Sequence, residues 1–398
     1  MPGQDLSAAQ PPAPAAELWQ SIAVQPLPRA SLAPPADERV AALRQWLGGL
    51  DSALDLNVDT LRIASADASF RRYFRLDGRP IDSGARTTLI AMDAPPPQED
   101  TRPFLNVQTR MAQAGLRVPR IMASDPETGF ILLEDFGDLT MLEALRADPT
   151  GESLQARYRG AIAALVHLQA SSGLTTTDSP NPPNPPNPPK LPTYDREMLL
   201  RELSLYPDWY VAKHKGVSLN PKELAQLNTG FERLVDVALG QTQVTVHRDW
   251  HSRNLMVLDH GAHGFEPGVL DFQDAVQGPL TYDLVSLLRD AYIAWDDERV
   301  LDWAIRYWEQ ARQAGIAVPE DFGVFWRDFE WMGIQRHLKV LGIFARLHLR
   351  DGKERYLADL PRVLDYVTKA VHRYDALAPL ARMIDQVENR TRTSGFTF

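Results

Sequence analysis

The stretch from Val244 to Leu258, VTVHRDWHSRNLMVL, constrains the fold more than any other part of the chain. Two short apolar runs flank a loop that is almost wholly polar. Runs of this length, bounded by polar residues, read as strand, loop, strand. A further apolar run, Gly268-Val269-Leu270, ends in Asp271-Phe272. The pattern therefore delivers Asp249, Asn254 and Asp271 to loops at the ends of short strands.

The rest of the chain is organised around that stretch. Residues 1–36 are dense in Pro and Ala and read as a disordered arm, since Pro removes backbone donors and little apolar surface is available to bury. Val40, Leu43, Trp46 and Leu47 predict a first helix over Asp37 to Leu50. Ser69 to Leu76 and Thr87 to Met92 read as strands, with Gly78 and Asp82-Ser83-Gly84 supplying turns. A helix from about Arg102 to Ala114 and a buried strand, Phe130 to Glu134, complete a small sheet-based N-terminal lobe over residues 37–136. After Gly137 the pattern becomes helical, and residues 137–398 read as a second lobe. Its Gly151 to Ser171 helix is followed at 175–192 by a stretch that contains PNPPNPPNPP, a surface insertion loop that suits neither helix nor central strand. Asn220-Pro221-Lys222-Glu223 carries an N-cap, a first-turn Pro and the acid three residues on that begin a helix.

Composition limits the function classes. The chain has 42 basic and 52 acidic residues, a formal charge of -10, which argues against broad nucleic-acid or anionic-membrane binding. It has no Cys, so thiol catalysis, disulfides and Cys-bound metal are excluded. No apolar run approaches the roughly 20 residues of a membrane span, and the start lacks the basic-then-apolar pattern of a secretory signal. The expectation is a cytoplasmic protein.

The loop residues suit phosphoryl transfer. That reaction needs an oriented hydroxyl, neutralised phosphate oxygens and in-line positioning more than covalent help. An Asp accepts the hydroxyl proton, and an amide and a second carboxylate supply the oxygen ligands magnesium prefers. HRDWHSRN followed by LDFQDA and GPLTYDLVSLL resembles the catalytic segments of protein-kinase-like and aminoglycoside-phosphotransferase-like enzymes. DASFRRYFR, MDAPPPQED, LLEDFGD and IQRHLKVLG extend the resemblance, over about residues 67–344, to bacterial anomeric kinases of N-acetylmuramate and N-acetylglucosamine.

The resemblance implies an α+β, bilobal, protein-kinase-like fold with an antiparallel N-lobe sheet and a helical C-lobe. It implies ATP and magnesium, Asp249 as catalytic base, and Asn254 and Asp271 as metal ligands. His247 and Asp283 would support the loop. Ser69 would lie at the phosphates, and Glu134 to Phe136 would face the adenine. It also implies a small amino-sugar substrate and a role in cell-wall sugar recycling that supplies a nucleotidyltransferase. Aminoglycoside, choline or homoserine kinases and a nucleotide-binding pseudokinase share the same core and stay open on the residues alone.

One departure stands out. Kinases of this class place a Lys on the third strand, but this chain has no Lys before Lys190 and reads Met92-Asp93 there. Arg71, Arg72 and Arg75 are the candidate cations, with Arg71 and Arg75 on one strand face and Arg72 on the other. Asp93 either contacts substrate or metal or caps its turn. His251, Arg253, Gln273, Asp274 and Arg336 are candidate acceptor contacts, with His337 and Lys339 beside them. Each has an ordinary surface or turn role as its alternative. Trp250, Tyr292 and Trp295 either stack on a sugar or belong to the core.

Overall fold

A computed structural model describes residues 36–50, 52–66, 70–79, 87–173, 189–258 and 265–390. Ser69, most of the arm at 1–36 and most of the insertion at 175–192 lie outside the described residues.

The N-terminal region is one five-stranded antiparallel sheet of β1 (Asn57–Ala66), β2 (Arg72–Gly78), β3 (Thr87–Asp93), β4 (Ile121–Asp125) and β5 (Phe130–Glu134). The strand order is β1-β2-β3-β5-β4. Alternation along the central strands fills two cores. Phe74, Leu76, Leu89, Ala91, Phe130 and Leu132 face α1 (Ala36–Gly48), where Leu43 and Leu47 meet them. Met92, Ile131 and Leu133 point the other way and join Phe104, Val107 and Met111 of α2 (Arg102–Gln113) in the main core. FILLE is continuously apolar because both of its faces are covered.

The chain then turns mainly helical through α3 (Met141–Ala147), α4 (Gly151–Ala170) and α5 (Arg196–Leu203). A π-helical turn, Tyr206–His214, leads to α6 (Pro221–Gly240). At the start of α6, Asn220 accepts from the Lys222 and Glu223 backbone N–H groups, and Glu223 accepts from the Asn220 N–H. Two small ribbons follow. β6 (Gln243–Val246) pairs with β9 (Val276–Pro279), and β7 (Leu255–Val257) pairs with β8 (Pro267–Val269). The remaining helices are α7 (Tyr282–Leu288), α8 (Asp297–Gln313), α9 (Phe322–Asp351), α10 (Leu360–Val371) and α11 (Ala378–Val387). The 30-residue α9 runs through the core, burying Phe329, Ile334, Leu338 and Leu341.

The connection between the two regions is tied down on both sides. Glu134 holds Arg117 and Arg120, and the Arg117 guanidinium lies 4.9 Å from the centre of the Phe136 ring. Phe136 in turn packs on Gly268, where an added Cβ would sit 2.7 Å from the ring. Beyond it, Val257 donates to the Leu139 carbonyl and Val269 to that of Arg117. The ribbon that ends at Asp271 is thus hydrogen-bonded directly to the segment entering the sheet. Among the described residues, no helix is long and apolar enough to cross a membrane.

Candidate active site

The loop after β6 is held by a carboxylate far away in sequence. Asp283, on the first turn of α7, accepts from the His247 N–H at 2.6 Å and the Arg248 N–H at 3.0 Å. This clamp keeps Arg248 in the left-handed region, at φ 78°. Asp283 is fully buried, and that burial, reinforced by repulsion from Asp249, outweighs the two hydrogen bonds and pushes its pKa up to about 7.

His247 stitches the two loops together. Its Nε2 lies 3.0 Å from the Leu270 carbonyl and its Nδ1 3.2 Å from the Asp249 N–H. The imidazole therefore donates from Nε2 and accepts at Nδ1, which is the neutral form. Complete burial pushes its pKa down to about 4, which keeps it neutral. Trp250 is wholly buried with its ring edge-on to His247 at 5.5 Å, so it belongs to the core and not to a sugar platform. Trp295 likewise donates to Tyr158 at 2.6 Å and packs edge-on to Trp303.

Asp249, Asn254 and Asp271 come together. The Asn254 amide nitrogen donates to the Asp249 carbonyl at 3.1 Å and reaches Asp271 Oδ2 at 3.4 Å. The Leu270 N–H donates to the Asn254 carbonyl at 2.9 Å, locking the loops in register. Asp271 takes φ 62°, and Gln273 Nε2 donates to its Oδ1 at 2.8 Å. The Asp249 side chain keeps 45% of its surface accessible, so it is open to a reactant. The loss of water from the covered part of its surface pushes the Asp249 carboxyl up. The charges of His251, Lys339, Arg336 and Arg248 outweigh that push and hold it below its ordinary value.

This donor set fits magnesium. Among the described residues no group of three His, Cys, Asp or Glu side chains could hold a metal ion. One carboxylate and one amide are instead what magnesium takes when phosphate oxygens and waters complete its shell.

The other candidates fall into place around the loop. His251 is buried, with Nδ1 unpartnered and Nε2 4.0 Å from Asp249 Oδ1. Arg336 is 3% exposed, and its Nε and Nη1 have no partner. Arg253 stacks over Tyr292 at 4.7 Å. His337 Nε2 donates to the Arg289 carbonyl, 2.8 Å away, inside the helical core. Asp274 is exposed and acts on the charge of Arg71.

The arginines near β2 divide their partners. Arg71 precedes the strand and pairs with Glu99 at 3.0 Å. Arg75 is held by Asp135 at 2.6 Å and by Asp138. Arg72 and Arg39 grip Asp93 between them, and Asp93 is fully buried. Asp93 therefore neither faces a metal nor caps a turn. It is an internal counter-ion at the strand position where a Lys was sought.

Two supporting residues escaped sequence reasoning. Asp290 accepts from the Ser252 N–H and hydroxyl and from the Tyr292 N–H, bracing the far end of the loop. It lies seven residues after Asp283, just past the end of α7, and that spacing becomes a signal only once Asp283 is known. Glu202, on α5, pairs with both Arg248 and Lys339. Nothing in the local sequence around Glu202 signals this.

With this geometry, the matches to known proteins are informative. The model of the phosphotransferase enzyme family matches residues 60–318. An N-acetylmuramate/N-acetylglucosamine kinase of Neisseria meningitidis serogroup B is 43% identical over 365 residues, 91% of this chain and 100% of that protein. A protein of the same name from Pseudomonas aeruginosa is 46% identical over 321 residues, covering 81% of this chain and 86% of that one. Among solved structures, Plasmodium vivax ethanolamine kinase superposes with a TM-score of 0.52 at 11% identity, over 83% of this chain and 86% of that one. The GDP complex of wild-type aminoglycoside 2'-phosphotransferase-IIIa gives 0.51 at 11% identity, over 86% and 100%. These two likenesses bear on the fold, which is the kinase-like one.

Proposed function

Since the chain belongs to the phosphotransferase enzyme family, and within it to the N-acetylmuramate/N-acetylglucosamine kinases, we propose that it phosphorylates the anomeric hydroxyl of such a sugar. The observation that carries the reading is the meeting of Asp249, Asn254 and Asp271 in one loop pair. In the transfer, the anomeric oxygen bonds to the γ-phosphorus of ATP as the bond from that phosphorus to the β–γ bridging oxygen breaks. The hydroxyl proton passes to Asp249, and ADP and the sugar 1-phosphate leave. Asn254 and Asp271 would hold magnesium, which neutralises charge on the phosphate oxygens. Arg71, steadied by Glu99, supplies positive charge to the phosphates where the third strand has no Lys. The backbone from Glu134 to Phe136 faces the adenine.

The charge around the base favours an acceptor that is not cationic. Arg336, Lys339 and Arg248 all act on Asp249, and Arg253 lies on Tyr292 nearby. A choline-type acceptor requires an aromatic cage and an aminoglycoside requires carboxylates, whereas the carboxylate of N-acetylmuramate suits these cations. Arg336, whose charge acts on Asp249, is the leading contact for it. An ATP-dependent step of this kind belongs in the cytoplasm. Its product would feed a nucleotidyltransferase that makes the UDP-sugar during recycling of cell-wall sugars.

Phosphorus NMR of a reaction containing ATP, magnesium and a panel of acceptors tests this reading. A sugar 1-phosphate signal from N-acetylmuramate or N-acetylglucosamine is the expected result. Phosphate on choline or an aminoglycoside, with none on the amino sugars, would overturn it.

A further inference from the structure

We propose that Glu202 is a positioning residue of the transfer step, holding Arg248 and Lys339 so that together they fix the placement of Asp249. The assignment rests on Asp249 being the group that receives the acceptor proton.

Glu202 lies on α5, 46 residues before Arg248, and its side chain is 9% exposed. Oε1 accepts from Lys339 Nζ at 2.9 Å and from Arg248 Nη2. Oε2 accepts from the Tyr194 hydroxyl. Lys339 also donates to the Tyr282 hydroxyl at 3.0 Å, one residue before Asp283. Every oxygen of this buried carboxylate is therefore committed, which is the condition for keeping charges inside a protein.

The consequence for Asp249 follows from Arg248. Its backbone N–H is held by Asp283, and its side chain by Glu202. A left-handed residue clamped at both ends leaves the next residue, Asp249, little freedom. Charge balance adds a second effect. One carboxylate shared by two cations reduces the positive charge that this pair brings to Asp249, which also feels Arg336, from two to one. Burial opposes the charge of Lys339, and it is the Glu202 carboxylate that keeps its ammonium protonated. Without Glu202 the two buried cations would have to separate, and they would carry the loop with them.

The test compares wild type, Glu202→Gln, Lys339→Met, Asp249→Asn and Glu388→Gln. Glu388 accepts from Tyr210 and Lys215 outside the active site and serves as a destabilised control. Melting temperature, ATP affinity, and kcat and KM with N-acetylmuramate are measured at a temperature where each variant is folded. Glu202→Gln should lose about 10- to 100-fold in kcat, the scale of a misplacement on the order of 1 Å, with ATP affinity within about 2-fold of wild type. Lys339→Met leaves the Glu202–Arg248 pair in place and should lower kcat with ATP affinity equally preserved. It keeps the test decisive if Glu202→Gln does not fold. The proposal is overturned if either variant, folded, keeps wild-type kcat, or if Glu202→Gln loses only melting temperature as Glu388→Gln does. Turnover surviving in Asp249→Asn would overturn the reading of the loop itself, and the role of Glu202 with it.

Discussion

Replacing Asp283 with Ala removes the side chain that accepts from the His247 and Arg248 N–H groups, at 2.6 and 3.0 Å. Each buried donor left without an acceptor costs about 1–3 kcal/mol, so the gross loss is about 2–6 kcal/mol. Two gains offset part of it. Arg248 is free to leave φ 78°, a release of about 1 kcal/mol. The variant also no longer buries a carboxyl that Asp249 repels. The net loss should be about 2–3 kcal/mol, seen as a lower urea midpoint with an unchanged slope. Because Asp249 follows directly, kcat should fall on the order of 100-fold. An unchanged midpoint with kcat within about 2-fold of wild type would refute the clamp.

The same carboxyl sets a pH dependence. Its pKa is raised from 3.8 to about 7 by burial, so the folded state binds the proton more tightly. The associated stability is fully present below the ordinary carboxyl value and is lost as pH rises through about 7, for a total of about 4 kcal/mol. Asp283→Asn cannot titrate, so its urea midpoint should change less than that of wild type between about pH 5 and 8; equal slopes would contradict this. Arg71→Met should weaken ATP binding about 10-fold, by loss of a charge-assisted contact, and should also lower the melting temperature, because the largely buried Glu99 carboxylate loses Arg71. A titration with ATP that showed no change would remove Arg71 from the phosphate site. Gly342→Ala should destabilise by about 2–3 kcal/mol, since its Cβ would lie 2.3 Å from the Leu205 carbonyl oxygen and α9 would have to move. A wild-type urea midpoint would show that the approach of α9 to Leu205 is not tight.

What the sequence revealed follows physical lines. FILLE and TTLIAM were legible because central strands with covered faces concentrate apolar residues, and the α6 cap because its chemistry is local. The expected strand from Ser69 begins instead at Arg72, and Arg71 lies just outside it. β1 and β4 were not expected. They are the sheet's edges, and edge strands lack a strong alternating pattern: Ile63 on β1 is 75% exposed. The candidate catalytic loop was legible as a spacing of Asp, Asn and Asp. Its supports were legible only where a resemblance pointed, as at His247 and Asp283. Glu202 and Asp290 act across 46 and 38 residues, through pairings that no local pattern encodes. Asp93 shows the same limit, because its meaning depends on Arg39, which is 54 residues away.

The central claim is that Asp249 receives the acceptor proton while other groups hold the nucleotide. Single-turnover phosphorus NMR with ATP, magnesium and N-acetylmuramate, run on wild type and Asp249→Asn, addresses it directly. Asp249→Asn should bind ATP as wild type does and lose at least about 100-fold in the rate at which the sugar phosphate signal appears. A variant that transfers phosphate at the wild-type rate would contradict it.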